Sequence, residues 1–257
     1  MILENKVVKN ILDNLSKVEV QSRDTYKIDD KRVPRVTEIL SAMLHEESLM
    51  SWANSLGWKR IGYRSFLNEA AEKGTFSHLA IDKYIKNGDV NIEEFNIKNP
   101  IVLNSVESCL DAFKKWWKKI HLLYKDIEVI YLEETLIHPY FGGTCDCLLK
   151  VDGSYWLVDF KTSNHMNYNY SLQLAAYKFL LKELKDIDVE KLIVLKLDKF
   201  TSEYCTYELD VKNNDHLEFI KDCEQTFLLL AAAYRMRLYT TEKYYNIYNI
   251  ENSKKRK

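Results

Sequence analysis

Asp152-Gly153 stands between two runs of strand-forming residues, TCDCLLKV (144–151) and SYWLVDFKT (154–162). A two-residue type I′ turn prefers this dipeptide because both of its central residues need φ > 0. So short a turn sets the register of the strands it joins, pairing Val151 with Ser154, Leu149 with Trp156 and Asp146 with Asp159. Directly opposed side chains have Cβ atoms roughly 4.5–5.5 Å apart on one face, where two carboxylates repel. The hairpin therefore predicts an arrangement that is costly unless a cation lies between the carboxylates. Alternation adds Lys161 to the same face and turns Phe160 away. Leu148 and Leu157 share that face, so it is not freely solvated.

Upstream of this hairpin the apolar spacing is helical. Ile2, Val7, Val8, Ile11, Leu12 and Leu15 predict a helix over 2–17, and Val36, Ile39, Leu40, Met43 and Leu44 another after Pro34. A polar hairpin pattern, TYKIDDKRV, lies between them. Further helices are predicted over 47–56, 60–72, 75–87 and 101–124. The last carries KKWWKK with its tryptophans on the apolar stripe, which favours core packing over a nucleic-acid patch. A strand over 127–137 precedes the hairpin. A helix over 171–184, strands near 191–197 and 204–209 and a helix over 213–238 follow it. The fold class is mixed α/β (α+β) around a central sheet. With no repeat and no linker, one domain is expected over 1–257, in which residues 1–125 are mainly helical, 126–238 form an α/β core and 239–257 a basic tail.

Composition narrows the function. Hydrophobic residues are 46% and charged residues 29%, a balance that excludes disorder of the body. The longest apolar run, Phe227 to Tyr234, is far below the roughly 20 residues a bilayer needs, so no membrane partner is expected. The start, MILENKVVKN, resembles no leader, which predicts a cytoplasmic protein. Five scattered cysteines without a CxxC pair read as reduced thiols. No GxxxxGK[ST] or GxGxxG occurs, so neither an ATPase motor nor a dinucleotide site is expected. Net charge is −1 and becomes −5 when the terminal Lys254, Lys255, Arg256 and Lys257 are set aside. A nucleic-acid partner must therefore be held by locally grouped cations and not by bulk charge.

Asp146 and Asp159 offer hard oxygen ligands suited to Mg²⁺ or Mn²⁺, and an ammonium beside them can orient water or stabilise phosphoryl charge. At this point the sequence resembles the PD-(D/E)XK nuclease superfamily and its RecB-like branch. GGTCD (142–146) and VDFKT (158–162) match that family's G-T-x-D and D-x-K-T strands. SLQLAAY (171–177) is similar to the Q-x-x-x-Y element, GTFSH (74–78) to G-T-x-x-H, and VPRVTEIL (33–40) to the segment that opens many phage-type members. Within the branch, phage exonucleases and the mitochondrial genome maintenance exonuclease are the similar proteins, which admits a phage-encoded origin in a host cytoplasm.

The resemblance implies a restriction-endonuclease-like core with a central mixed sheet flanked by helices. It implies that Asp146 and Asp159 bind the catalytic metal with the Phe160 carbonyl, that Lys161 positions or activates water, and that a glutamate of the preceding strand completes the site. Spacing to His138 favours Glu133, with Glu134 left open. His78 is implied as a further ligand, and Thr162, Gln173 and Tyr177 as residues toward the substrate. An iron-sulfur cluster is not expected, since no cysteine precedes Cys109. The expected function is Mg²⁺- or Mn²⁺-dependent exonuclease action on single-stranded DNA or DNA ends, in replication, recombination or repair. The alternatives are a duplex or structure-specific endonuclease, a non-catalytic nucleic-acid-binding protein that keeps the fold, and a metal hydrolase of a small phosphorylated substrate.

Overall fold

The computed structural model describes residues 5–17, 26–44, 54–60 and 62–248. Helix α1 (Asn5–Ser16) buries Val8, Leu12 and Leu15 at helical spacing; the first residues of the expected helix lie outside the described ones. A two-stranded ribbon, β1 (Lys27–Ile28) and β2 (Lys31–Arg32), follows, with Asp29 and Asp30 both at positive φ. Helix α2 (Val36–Met43) opens after Pro34, where the Arg35 amide donates to Glu38 Oε2 at 3.4 Å. Of the helix expected over 47–56, residues 47–53 lie outside the described residues, and 54–58 are helical.

The helices expected over 60–72 and 75–87 are one element, α3 (Tyr63–Asn87), which runs unbroken through Gly74. A lone glycine costs a helix interior only about 1 kcal/mol, too little to interrupt α3. A Cβ on Gly74 would stand 3.9 Å from Thr162 Oγ1. Helix α4 (Pro100–Leu123) starts on an Asn99 side-chain cap with proline in its first turn. Trp116 of KKWWKK is buried, and Trp117 packs against the same cluster.

The central sheet has the order β3 (Ile127–Ile137), β4 (Gly142–Val151), β5 (Ser154–Lys161), β6 (Val189–Leu197), β7 (Tyr204–Asp210). Within this sheet only β5 and β6 pair in parallel, and α5 (Tyr168–Lys185) is the crossover such a pair requires. The β4–β5 turn has φ of 45° at Asp152 and 88° at Gly153. The ladder runs in the expected register from Val151↔Ser154 to Cys147↔Val158. One face of the sheet packs on α1, α2, α5 and α6 (Asn214–Ile247), the other on α3 and α4. Helix α6 continues past 238, so residues 239–247, expected in a tail, are helical.

Arg235 of α6 is buried and, among the described residues, bonds carbonyls, donating to Tyr140 O at 2.9 Å, Pro139 O at 2.5 Å and Leu15 O at 3.4 Å. It ties α6 to the end of α1 and to the loop joining β3 to β4. Among the described residues no helix is long and apolar enough to cross a membrane.

Candidate active site

The β4–β5 ladder stops at Cys147↔Val158, and the next residue of β4 changes its function there. Asp146 Oδ2 accepts from the Phe160 backbone N–H at 2.7 Å, so its carboxylate caps the ladder. Asp159 is only 1% exposed and is met by the Lys161 ammonium, 2.8 Å from Oδ1 and 2.6 Å from Oδ2. Oδ2 receives no hydrogen bond of good direction. The two carboxylates thus share one end of the hairpin, each held by a different donor, instead of facing each other bare.

Glu133 occupies the position of β3 that faces Asp146, between the pairs Leu132↔Cys147 and Glu134↔Cys145. Its φ is +49°, a left-handed conformation uncommon for a residue with a Cβ. That residue breaks the alternation of β3. Glu134 is thereby turned to α5, where it pairs with Lys185 at 2.9 Å, while Glu133 Oε1 comes 3.5 Å from His78 Nδ1. The structure separates the two glutamates that spacing left open: Glu133 joins the cluster and Glu134 does not.

His78 arrives from α3, on the opposite side of the sheet from α5. Its Nδ1 is 3.5 Å from Asp146 Oδ1 and its Nε2 3.1 Å from the Phe160 carbonyl, and its ring stands edge-on to Phe160. With Nε2–H donating to that carbonyl, Nδ1 is the nitrogen turned to the acids. Ligand atoms of His78, Glu133 and Asp146 all lie within 4.8 Å of one another. Gly74, Thr75, His78, Leu79, Asp82 and Glu133 line a groove of about 450 Å³ over this cluster.

The charges are interdependent. Burial works against a charged His78, but the Asp146 carboxylate and the hydrogen bond to Glu133 outweigh it and raise the imidazole to about 9. Burial, opposed by Lys161 and helped by Asp146, raises Asp159 to about 6. Burial also opposes the Lys161 charge, and Asp159 and Asp146 overcome it, so that ammonium is held above its ordinary value. Two carboxylates and an imidazole converge on one point, with Asp159 outside that group, paired with Lys161 and keeping one oxygen without a directed donor; such a donor set suits a hard divalent cation.

Thr162 lies against Gly74 of α3. Gln173 and Tyr177 lie side by side on α5, both buried, with Gln173 Nε2 donating to the Tyr177 hydroxyl at 3.2 Å. The Tyr177 ring passes directly over Gly143 and fills the space a Cβ would need. Sequence reasoning passed over Tyr170, whose ring takes the Lys161 ammonium at 5.1 Å, and Asp82, which lines the groove four residues beyond His78. The i,i+4 spacing of His78 and Asp82 was the available signal.

A cluster of this kind, with Asp146 buried and Glu133 open to the groove, on a mixed sheet is a candidate divalent-cation centre. The chain belongs to the PD-(D/E)XK nuclease superfamily, whose model matches residues 58–243. Membership implies a nuclease that acts on nucleic acid, and nucleases of this superfamily usually use divalent metal ions. Comparison with curated proteins finds no match. Among solved structures, the one titled "Crystal structure of SSO0001" is similar at 11% identity with a TM-score of 0.32, over 88% of this chain and 87% of that one.

Proposed function

We propose that the protein is a Mg²⁺- or Mn²⁺-dependent exonuclease of the RecB-like branch, acting on single-stranded DNA or DNA ends. The observation that carries this reading is the convergence of His78, Glu133 and Asp146 from α3, β3 and β4 beside the Asp159–Lys161 pair of β5. Asp146, Asp159, Glu133 and His78 through Nδ1 would hold the ion, while the Phe160 carbonyl, taken up by His78 Nε2–H, orients the imidazole instead of ligating. Held by those residues, a divalent ion would supply Lewis acidity toward a phosphoryl oxygen and a more acidic water.

The chain's own groups supply the rest. Lys161, kept as an ammonium by Asp159 and Asp146, donates hydrogen bonds to the water or the phosphoryl oxygens and takes up no proton itself. Tyr170 fixes the direction of that ammonium. His78 is oriented by the Phe160 carbonyl, the arrangement that sets which nitrogen faces a ligand. Gln173 and Tyr177 hold α5 against Gly143 and so fix the strand that bears Asp146. The groove beside Gly74 and Thr75 receives the strand.

End-labelled linear single strands, blunt duplexes and circular single strands, each with Mg²⁺, Mn²⁺ or EDTA, test the reading. Linear single strands should be shortened with either ion and left whole in EDTA. Lys161→Ala and Asp146→Asn should remove most of that activity. Cutting of circles at the linear rate would replace the exonuclease reading with an endonuclease one, and cutting in EDTA would end the metal mechanism.

A further inference from the structure

We infer that residues 196–200, at the carboxyl end of β6, guide a single-stranded nucleic acid out of the site, Lys196 and Lys199 holding phosphates and Phe200 stacking on a base. The inference rests on the nuclease reading above and specifies the form of its substrate.

Placement comes first. Strand β6 runs parallel to β5 with Lys161 and Lys196 as partners, so their side chains stand on the same face of the sheet. Lys196 is thus the lateral neighbour of the lysine at the centre. Lys161 is occupied by Asp159, whereas no ion pair joins Lys196 or Lys199 to an acid among the described residues. Burial, with Lys73 of α3 and Lys196 nearby, destabilises the Lys199 charge, and Asp198 offsets only part of that. Lys73 is paired with Glu69 at 2.7 Å and Asp198 lies near Lys196 and Lys199, so three ammonium groups share two carboxylates and a phosphate would supply the remaining counter-charge.

The turn after β6 adds an aromatic surface. Phe200 is 74% exposed, yet its backbone is firmly held. The Asp198 carboxylate accepts from the Phe200 and Thr201 amides at 2.8 and 2.9 Å. Ser108 Oγ of α4 donates to the Asp198 carbonyl and accepts from the Ser202 amide, both at 2.9 Å. A ring left bare on a turn so pinned offers a fixed flat surface one residue from Lys199. Base stacking beside a phosphate contact needs that pair of features, and unpaired bases alone can use the ring because duplex bases are already stacked.

The test uses Asp146→Asn protein, so that substrate is not consumed, with Phe200→Ala, Phe200→Leu, Phe200→Trp or Lys199→Gln added. Binding of fluorescein-labelled oligothymidylate and of a blunt duplex of equal length is read by anisotropy across a salt titration. Phe200→Ala should weaken single-strand binding roughly five- to a hundredfold and leave duplex binding unchanged. Phe200→Leu should behave as the alanine variant and Phe200→Trp as the parent, and Lys199→Gln should lower the salt slope by about 0.7. Phe200→Ala in the otherwise unaltered chain should hydrolyse bis(p-nitrophenyl) phosphate, too small to reach the turn, at the parent rate. Single-strand affinity of Phe200→Ala within about twofold of the parent, or an equal loss on duplex, overturns the inference. If the unaltered protein cuts DNA and that result is found, this inference falls alone. If it neither cuts nor binds DNA, the nuclease reading falls with it.

Discussion

Replacing His78 by glutamine in the metal-free protein removes a cation that two carboxylates have stabilised, and the size of that stabilisation follows from the geometry. With Glu133 and Asp146 oxygens 3.5 Å from Nδ1, the imidazole rises from 6.5 to about 9. At roughly 1.4 kcal/mol per pH unit, the pair of states differs by on the order of 3 kcal/mol. A folded pKa above the unfolded one means that this stability is fully present below pH 6.5 and is lost as pH rises through about 9. Asp159, raised from 3.8 to about 6 by burial, has the same sign: its contribution is present at low pH and is lost as pH passes about 6. Chelator-treated wild type should therefore lose on the order of 3 kcal/mol relative to His78→Gln between pH 6 and 9.5, about 6–12 °C in melting temperature for a chain of this size. Taking the difference between the two proteins at each pH cancels groups common to both. A divalent ion should reverse the trend, because only the neutral imidazole ligates and binding then releases a proton. The assay is a thermal melt series in EDTA and in Mg²⁺, and a wild-type minus variant curve flat from pH 6 to 9.5 would refute the reasoning.

Glu133→Gln should lower DNA cleavage by roughly a hundredfold or more, since it removes a candidate ligand, whereas Glu134→Gln should change the rate little and cost at most about 1 kcal/mol through its half-exposed pair with Lys185; equal losses in cleavage assays would reject the separation of the two glutamates. Gly143→Ala, with a methyl forced into the Tyr177 ring, should destabilise by about 1–3 kcal/mol in urea melts, and an unchanged midpoint would show that Tyr177 is free to move. Arg235→Met should cost about 1–3 kcal/mol by leaving the buried carbonyl of Tyr140 without its donor, with the part-buried carbonyl of Pro139 adding less, and a neutral or stabilising result would show that those carbonyls find water.

The hairpin that sets the centre was legible because its turn is local. Asp152 and Gly153 carry the positive φ that their residue types favour, and the strand register follows from the turn. Glu133 was not decidable in the same way. Alternation assumes extended backbone at every residue, and the left-handed φ at Glu133 is imposed by surroundings that no neighbouring residue announces. The union of two expected helices into α3 has another origin: a lone glycine costs a helix only about 1 kcal/mol, which the packing of α3 on α4 and the sheet outweighs. His78 was singled out from its G-T-x-x-H context, but the side of the sheet from which it enters depends on how α3 crosses β5, which spacing along the chain does not encode.

Arg235 imposes an order on biosynthesis. The carbonyls it clamps lie 95, 96 and 220 residues earlier in the chain, and two of them belong to the loop that aligns β3 with β4. While the ribosome is still making the sheet, the Tyr140 and Pro139 carbonyls have no such donor, so the loop joining β3 to β4 reaches its final packing only when α6 docks. Contacts of such long separation form late and slowly. A chain truncated before Arg235 would therefore leave that loop and the end of α1 without their shared anchor.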